Sequence, residues 1–132
     1  MWPFRRARGE SGLGGRGEKL ARQFLKRAGL KILAENYRCP AGEADLIALD
    51  ASTQKTTGAQ TIALVEVKTR SGDHYTDPES AVDSRKRRKM RKVAEHYLAS
   101  RRAGDFNLRF DIVSVVIRPG EGPQVKHIPG AF

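Results

Sequence analysis

The chain has 132 residues and a mass of 14.6 kDa, the size of one domain, and its 39% hydrophobic residues suffice for a single core. Charged residues make up 30%, and no apolar run nears the ~18 residues of a transmembrane helix, which excludes a helical membrane protein. The single Cys39 excludes an internal disulfide framework and a cysteine-based zinc site, and the net charge of +10 points to a polyanionic partner. Nucleic acid is the first such partner and a membrane surface the second. The blander reading is charge for solubility alone.

Residues 1–12 are basic and glycine-rich and read as a flexible N-terminal arm ahead of one domain over 13–132. The start lacks the apolar stretch of a signal peptide, which predicts a cytoplasmic protein. A helix is predicted from about 14 to 28, because Leu20, Ala21, Phe24, Leu25 and Ala28 recur at helical spacing and Gly29 follows. Leu30 to Arg38 is strand-like but irregular, and Cys39-Pro40-Ala41-Gly42 is a turn. Glu43 to Asp50 reads as a strand. Ala51 to Gln60, without a large apolar residue, reads as a connecting loop. Thr61 to Thr69 is almost continuously apolar, as in a strand buried on both faces.

Asp77-Pro78-Glu79 has the form of a helix start, with Asp as cap and Pro in the first turn. The helix that follows is expected to run to about 102, with a break near Asp83-Ser84, and its apolar stripe is Met90, Val93, Ala94, Tyr97 and Leu98. Leu108 to Ile117 is a further strand, and Gln124 to Ile128 a short last one. The order predicts a mixed sheet covered by helices on both faces.

Two strands carry the candidate chemistry. If the 51–60 loop closes an antiparallel hairpin symmetrically, Leu49 faces Ile62, Ile47 faces Leu64, Asp45 faces Glu66 and Glu43 faces Lys68. The apolar pairs support this register, and a slip of one residue would send the two acids to opposite faces. Carboxylates directly opposite stand about 4.5–5.5 Å apart at Cβ and repel. A divalent cation relieves that repulsion, and magnesium needs only the two carboxylates, the Val67 carbonyl and waters. Lys68 would then project beside the attacking water of a phosphoryl reaction. The purely structural alternative is a salt-bridged ladder in which Lys68 and Glu43 offset the acids. Glu18, at the start of the first helix and bordering its apolar face, either leans toward the sheet or complements the helix dipole.

Gly17-Glu18-Lys19-Leu20-Ala21, Asn36-Tyr37-Arg38, Gly42 to Ala48 and Val65 to Arg70 together resemble the YraN family of bacterial proteins. Arg109-Phe110-Asp111-Ile112-Val113 and the C-terminal His127-Ile128-Pro129-Gly130-Ala131-Phe132 continue the resemblance, which covers about residues 11–132. That family is assigned to the PD-(D/E)xK restriction-endonuclease-like superfamily and is similar to archaeal Holliday-junction resolvases. The resemblance implies a restriction-endonuclease-like α/β fold with an αβββαβ core. It also implies Glu18, Asp45, Glu66 and Lys68 as active-site positions. This chain has Ala44 where the family usually has Ile, and its 51–60 loop is longer and more polar.

Arg85 to Lys92 places seven cations in eight positions, with no acid between 84 and 94. This is the pattern of a phosphate-backbone surface, with Lys86 or Arg70 nearest the metal and with Arg87, Arg88 and Lys89 alongside. A solvated helix face is the alternative. His74 and Tyr75 follow Lys68 on a loop. His96 reads as a helix-surface residue and Cys39 as an incidental thiol. The expectation is a DNA endonuclease using Mg2+ or Mn2+, on branched DNA or recombination intermediates among other substrates, with the oligomeric state, dimer included, left open. The alternatives are a non-catalytic nucleic-acid-binding protein of the same fold and a structural adaptor.

Overall fold

A computed structural model of the protein describes residues 12–71, 84–99 and 105–132. Residues 1–11 of the predicted 1–12 arm, the helix start at Asp77-Pro78-Glu79, His74, Tyr75 and the helix end near 102 lie outside these residues.

Helix α1 spans Leu13–Arg27, with Lys26 and Arg27 in its last turn, where cations complement the helix dipole. Gly29 follows with φ 97°, and the Leu30 amide donates to the Leu25 carbonyl. Strands β1 (Lys31–Cys39) and β2 (Gly42–Asp50) form a hairpin closed at Pro40-Ala41 by the pair Cys39 with Gly42. The irregularity expected in β1 is a register shift between Ile32 and Ala34.

The loop after β2 is more ordered than the sequence predicts. Asp50 accepts from the Ser52 amide at 3.1 Å and opens a 3-10 turn over Ala51–Thr53, followed by a single helical turn α2, Gln54–Thr57. Short polar side chains that bond the backbone two residues on favour such turns. Strand β3 (Thr61–Ser71) then pairs antiparallel with β2, Leu49 against Ile62 and Ile47 against Leu64, the predicted register. Helix α3 (Ser84–Ala99) leads to β4 (Asn107–Ile117), parallel to β3, and β5 (Gln124–Ile128) closes the sheet in the order β1-β2-β3-β4-β5.

Alternation along the strands divides the core between the two faces. Ala21 and Leu25 of α1 join Leu46, Ala48, Ala63, Val65, Val67, Val113 and Val115 on one face. Met90, Val93, Ala94 and Tyr97 of α3 join Ile47, Ile62, Leu64 and Phe110 on the other. The mixed sheet flanked by helices agrees with a nuclease-like α/β fold. At Gly17, α1 lies so close to β3 that an added Cβ would fall 1.8 Å from the Thr69 Oγ1. Only glycine permits that approach, which accounts for Gly17.

Candidate functional site

The site forms where β2 and β3 separate. Their pairing ends at Leu46 with Val65. Beyond it the Val67 amide, which would otherwise extend the ladder, donates to Asp45 Oδ2 at 2.8 Å. Amide and carbonyl of one strand residue lie on the same edge, so the Val67 carbonyl faces the same gap.

The backbone of β2 turns at this point. Ala44 packs with Ile47 on the α3 side, whereas Leu46 and Ala48 pack on the α1 side, so the alternation breaks at Asp45. Across from it in β1, between the pairs Glu35 with Leu46 and Tyr37 with Ala44, stands Asn36 at φ 50°. Asn36 is the one non-glycine residue with positive φ among the described residues. Asparagine tolerates the left-handed conformation and β-branched residues do not. Asn36→Gly is therefore expected to leave stability nearly unchanged. Asn36→Val should cost about 1–2 kcal/mol in urea denaturation, with the loss of alignment at Asp45 as the local consequence. Equal stabilities for the two variants would contradict this role.

Asp45, Glu66 and Lys68 line one cavity of about 200 Å3, together with Glu43, Ala44, Val65, Val67 and Met90. Asp45 and Glu66 line the same cavity, but the ladder ends at Leu46 with Val65, so the expected pairs Asp45 with Glu66 and Glu43 with Lys68 lie beyond it, and Glu43 pairs with Arg38 instead. The volume holds an ion with several waters, each of which occupies about 30 Å3 in the liquid.

The repulsion expected between the two carboxylates is offset by ammonium groups. Lys68 Nζ stands 2.7 Å from Glu66 Oε2, and Lys86, from the first turn of α3, pairs with Glu66 Oε1. Burial pushes the Glu66 carboxyl up, but the two ammonium groups outweigh it and hold the group below the ordinary carboxylate value. Glu66 Oε2 is buried, and among the described residues it has the Lys68 ammonium beside it but no hydrogen bond of good geometry. A carboxylate largely withdrawn from solvent, a second carboxylate 8% exposed and a carbonyl on the same gap are oxygen donors that suit a hard divalent ion. Among the described residues no third acid, histidine or cysteine joins them in a metal-holding group. Magnesium accepts so small a protein share because it retains water.

Glu18 is buried at 4% exposure on α1, with Ala21 and Leu25 of the same helix face fully buried, but it does not line this cavity. Arg70 continues the Glu66–Lys68 row on β3, and its Nη1 donates to the Thr69 carbonyl. Of the α3 cations, Lys86 reaches the site, and the Lys89 stem lies against Gly42. Lys89 also lines a neighbouring groove with Arg38, Cys39, Pro40, Ala41, Gly42 and Glu43. Arg87, Arg88 and Lys89 are all exposed, but successive helix residues point about 100° apart, so Arg88 lies on the side away from the sheet. His96 is exposed, as expected, and its Nδ1 bonds the Tyr37 hydroxyl at 2.5 Å.

The sequence reading missed a second polar cluster, on the α1 face. Asp111, fully buried, accepts from Arg109 Nε at 2.8 Å and Nη2 at 3.0 Å, and from the Gly130 amide at 3.0 Å. His127 Nε2 lies 2.8 Å from Asp111 Oδ2, and Arg109 Nη1 donates to Asp50 at 2.9 Å. The Ala131 amide bonds the Phe110 carbonyl, and Phe132 stacks on Phe110. The C-terminal residues are thereby latched onto β4. An acid in an otherwise apolar strand is the signal that points to such a cluster, since a buried charge requires partners.

Two comparisons bear on identity. The family model described as "Uncharacterised protein family UPF0102" matches residues 17–115. A UPF0102 protein of Geobacter metallireducens is 44% identical over 120 residues, covering 91% of this chain and 91% of the relative. One of Nocardia farcinica is 44% identical over 120 residues, covering 91% and 88%, and one of Syntrophus aciditrophicus is 40% identical over 116 residues, covering 88% and 84%. The matched region contains α1 from Gly17 onward, the β2–β3 gap, Lys86 and the Arg109–Asp111 pair, and the chain belongs to the UPF0102 family, the family that its YraN-like motifs resemble.

Proposed function

We propose that the protein is a metal-dependent endonuclease that hydrolyses phosphodiester bonds in DNA, branched recombination intermediates included. The observation that carries this reading is the convergence of Asp45, Glu66 and Lys68 on one cavity at the point where β2 and β3 part. Asp45, Glu66 and the Val67 carbonyl would hold Mg2+ or Mn2+, which supplies Lewis acidity to the phosphoryl group and the attacking water. Lys68 Nζ, held beside Glu66, orients that water and offsets the charge that develops on the phosphate. Lys86, Lys89 and Arg70 take the flanking phosphates. Among the described residues, no helix is long and apolar enough to cross a membrane.

One observation favours a non-catalytic nucleic-acid-binding protein instead. Both oxygens of Glu66 already have ammonium neighbours, as in a structural ladder. Incubation of duplex, single-stranded, flap and four-way-junction DNA with the protein and Mg2+ or Mn2+ separates the two. Metal-dependent cleavage, abolished by chelation, is expected. Binding without cleavage of any member selects the alternative.

Binding should be mainly electrostatic. Replacing Arg87, Arg88 and Lys89 by Ala is expected to weaken all DNAs alike and to lower the salt slope by about 0.9 per lost phosphate contact. Lys89 should account for the largest share, because it lies beside the site. An unchanged slope would mean that α3 faces away from DNA.

A further inference from the structure

We propose that Lys86 is a displaceable counter-ion, which neutralises Glu66 in the metal-free protein and passes to a phosphate when a divalent ion enters. The proposal rests on the metal-site reading above and concerns the order and coupling of binding there.

The charges of the site carry the argument. Among the described residues, Glu43, Asp45 and Glu66 contribute three negative charges, and Lys68, Lys86 and the Arg38 that pairs with Glu43 three positive ones, so their charges balance without a metal. A divalent ion adds two positive charges to a cavity whose main carboxylate already has an ammonium at each oxygen, so one ammonium must yield. Lys68 is poorly placed to do so. It stands two residues from Glu66 on the same face of a central strand, hydrogen-bonded on both sides over much of its length.

Lys86 differs in each respect. It belongs to another element, its side chain is 30% exposed, and only its long flexible stem has to move. Its backbone is fixed one turn away by Met90, which is 4% exposed in the α3-side core, so the helix can stay while the ammonium swings. Released from Glu66, the ammonium stays at the cavity mouth, where the incoming ion has left an uncompensated positive charge. A phosphodiester restores the balance and gives Lys86 a new partner. Metal and polyanion therefore bind with positive coupling, each favouring the state in which Lys86 has left Glu66.

Calorimetric titration of Mn2+ without DNA tests this on the wild type and on Lys86→Met, Lys86→Arg and Lys92→Met. Met retains the stem of Lys86 and removes the competing charge. Lys92→Met removes a charge from an exposed position of the same helix. Lys86→Met is expected to bind Mn2+ about threefold to tenfold more tightly than wild type, the scale of one partly screened charge at close range. Lys86→Arg should stay near wild type, and so should Lys92→Met. In the wild type, saturating Mn2+ should also tighten binding of a non-cleavable phosphorothioate duplex, and Lys86→Met should lose most of that gain. An affinity in Lys86→Met equal to or weaker than wild type overturns the proposal and leaves the metal site standing. Equal tightening in Lys92→Met overturns it too, since a general field effect would then suffice. No Mn2+ binding by the wild type overturns the metal-site reading and this proposal together.

Discussion

Glu66→Gln is expected to remove divalent-metal binding and to lower cleavage by at least about a thousandfold, some 4 kcal/mol of barrier. Asp45→Asn should do the same. The amide keeps the shape of the side chain but is a poor ligand for a hard cation and places an N–H2 among ammonium groups. The consequence for the metal-free protein departs from what two opposed carboxylates alone would suggest. Relief of their repulsion by neutralising either acid would stabilise the fold. In the structure Glu66 is held by Lys68 and Lys86, so Glu66→Gln leaves two cations without their carboxylate and should lower the melting temperature. Lys68→Ala should leave Mn2+ affinity unchanged or tighter, because an ammonium is no ligand, and should still lose turnover. Calorimetry, thermal unfolding and cleavage on these three variants check each part. Retention of cleavage in Glu66→Gln would remove this site from consideration.

Asp111→Asn is expected to be the most destabilising single exchange outside the apolar core. It strips the charge from a fully buried carboxylate that serves Arg109, His127 and the Gly130 amide. Breaking a buried pair by removing one partner costs about 3–5 kcal/mol, a large part of the 5–15 kcal/mol that holds a domain of this size. Urea denaturation near neutral pH measures it. A loss under about 1 kcal/mol would show that the latch between β4 and the C-terminal residues contributes little.

The same cluster fixes a pH dependence. Burial pushes the Asp111 carboxyl up, but His127, Arg109 and the Gly130 amide outweigh it and hold it below its ordinary value. Asp50 is likewise lowered, with Ser52 and Arg109 outweighing burial. A carboxyl depressed in the folded state stabilises at pH values above its unfolded pKa, about 3.9 for Asp, and that stability is lost as pH falls through the folded value. Wild-type stability should therefore fall steeply below about pH 4, and Asp111→Asn should flatten that fall.

The hairpin was legible in the sequence because apolar residues specify a register. Ile47 with Leu64 and Leu49 with Ile62 agree in only one alignment, and that alignment pairs the strands as far as Leu46 and Val65, beyond which Asp45 and Glu66 line one cavity. Lys86 was legible only as one of seven clustered cations. Which of them reaches Glu66 depends on the phase of α3 against the sheet, set by Met90, Val93 and Tyr97 in the core. The turn in β2 at Asp45 lies across from Asn36, nine residues earlier in the chain and on a neighbouring strand, a relation without a local periodic signal. The Asp111 cluster joins residues from β2, β4, β5 and the residues after it, and such tertiary satisfaction of a buried charge appears only once the strands are assembled. The loop after β2 opens on a 3-10 turn that Asp50 caps through the Ser52 amide, a chemistry that polar composition alone understates.

The central claim is that Asp45 and Glu66 hold a divalent ion for phosphodiester hydrolysis. Crystals grown with Mn2+ and measured at the manganese absorption edge test it most directly. The account predicts one strong anomalous peak in the β2–β3 gap, at about the 2.1 Å of a hard octahedral ion from an oxygen of Asp45 and one of Glu66, with Lys86 turned away from Glu66. A map with no peak there, and with Glu66 still paired to both Lys68 and Lys86, would contradict it.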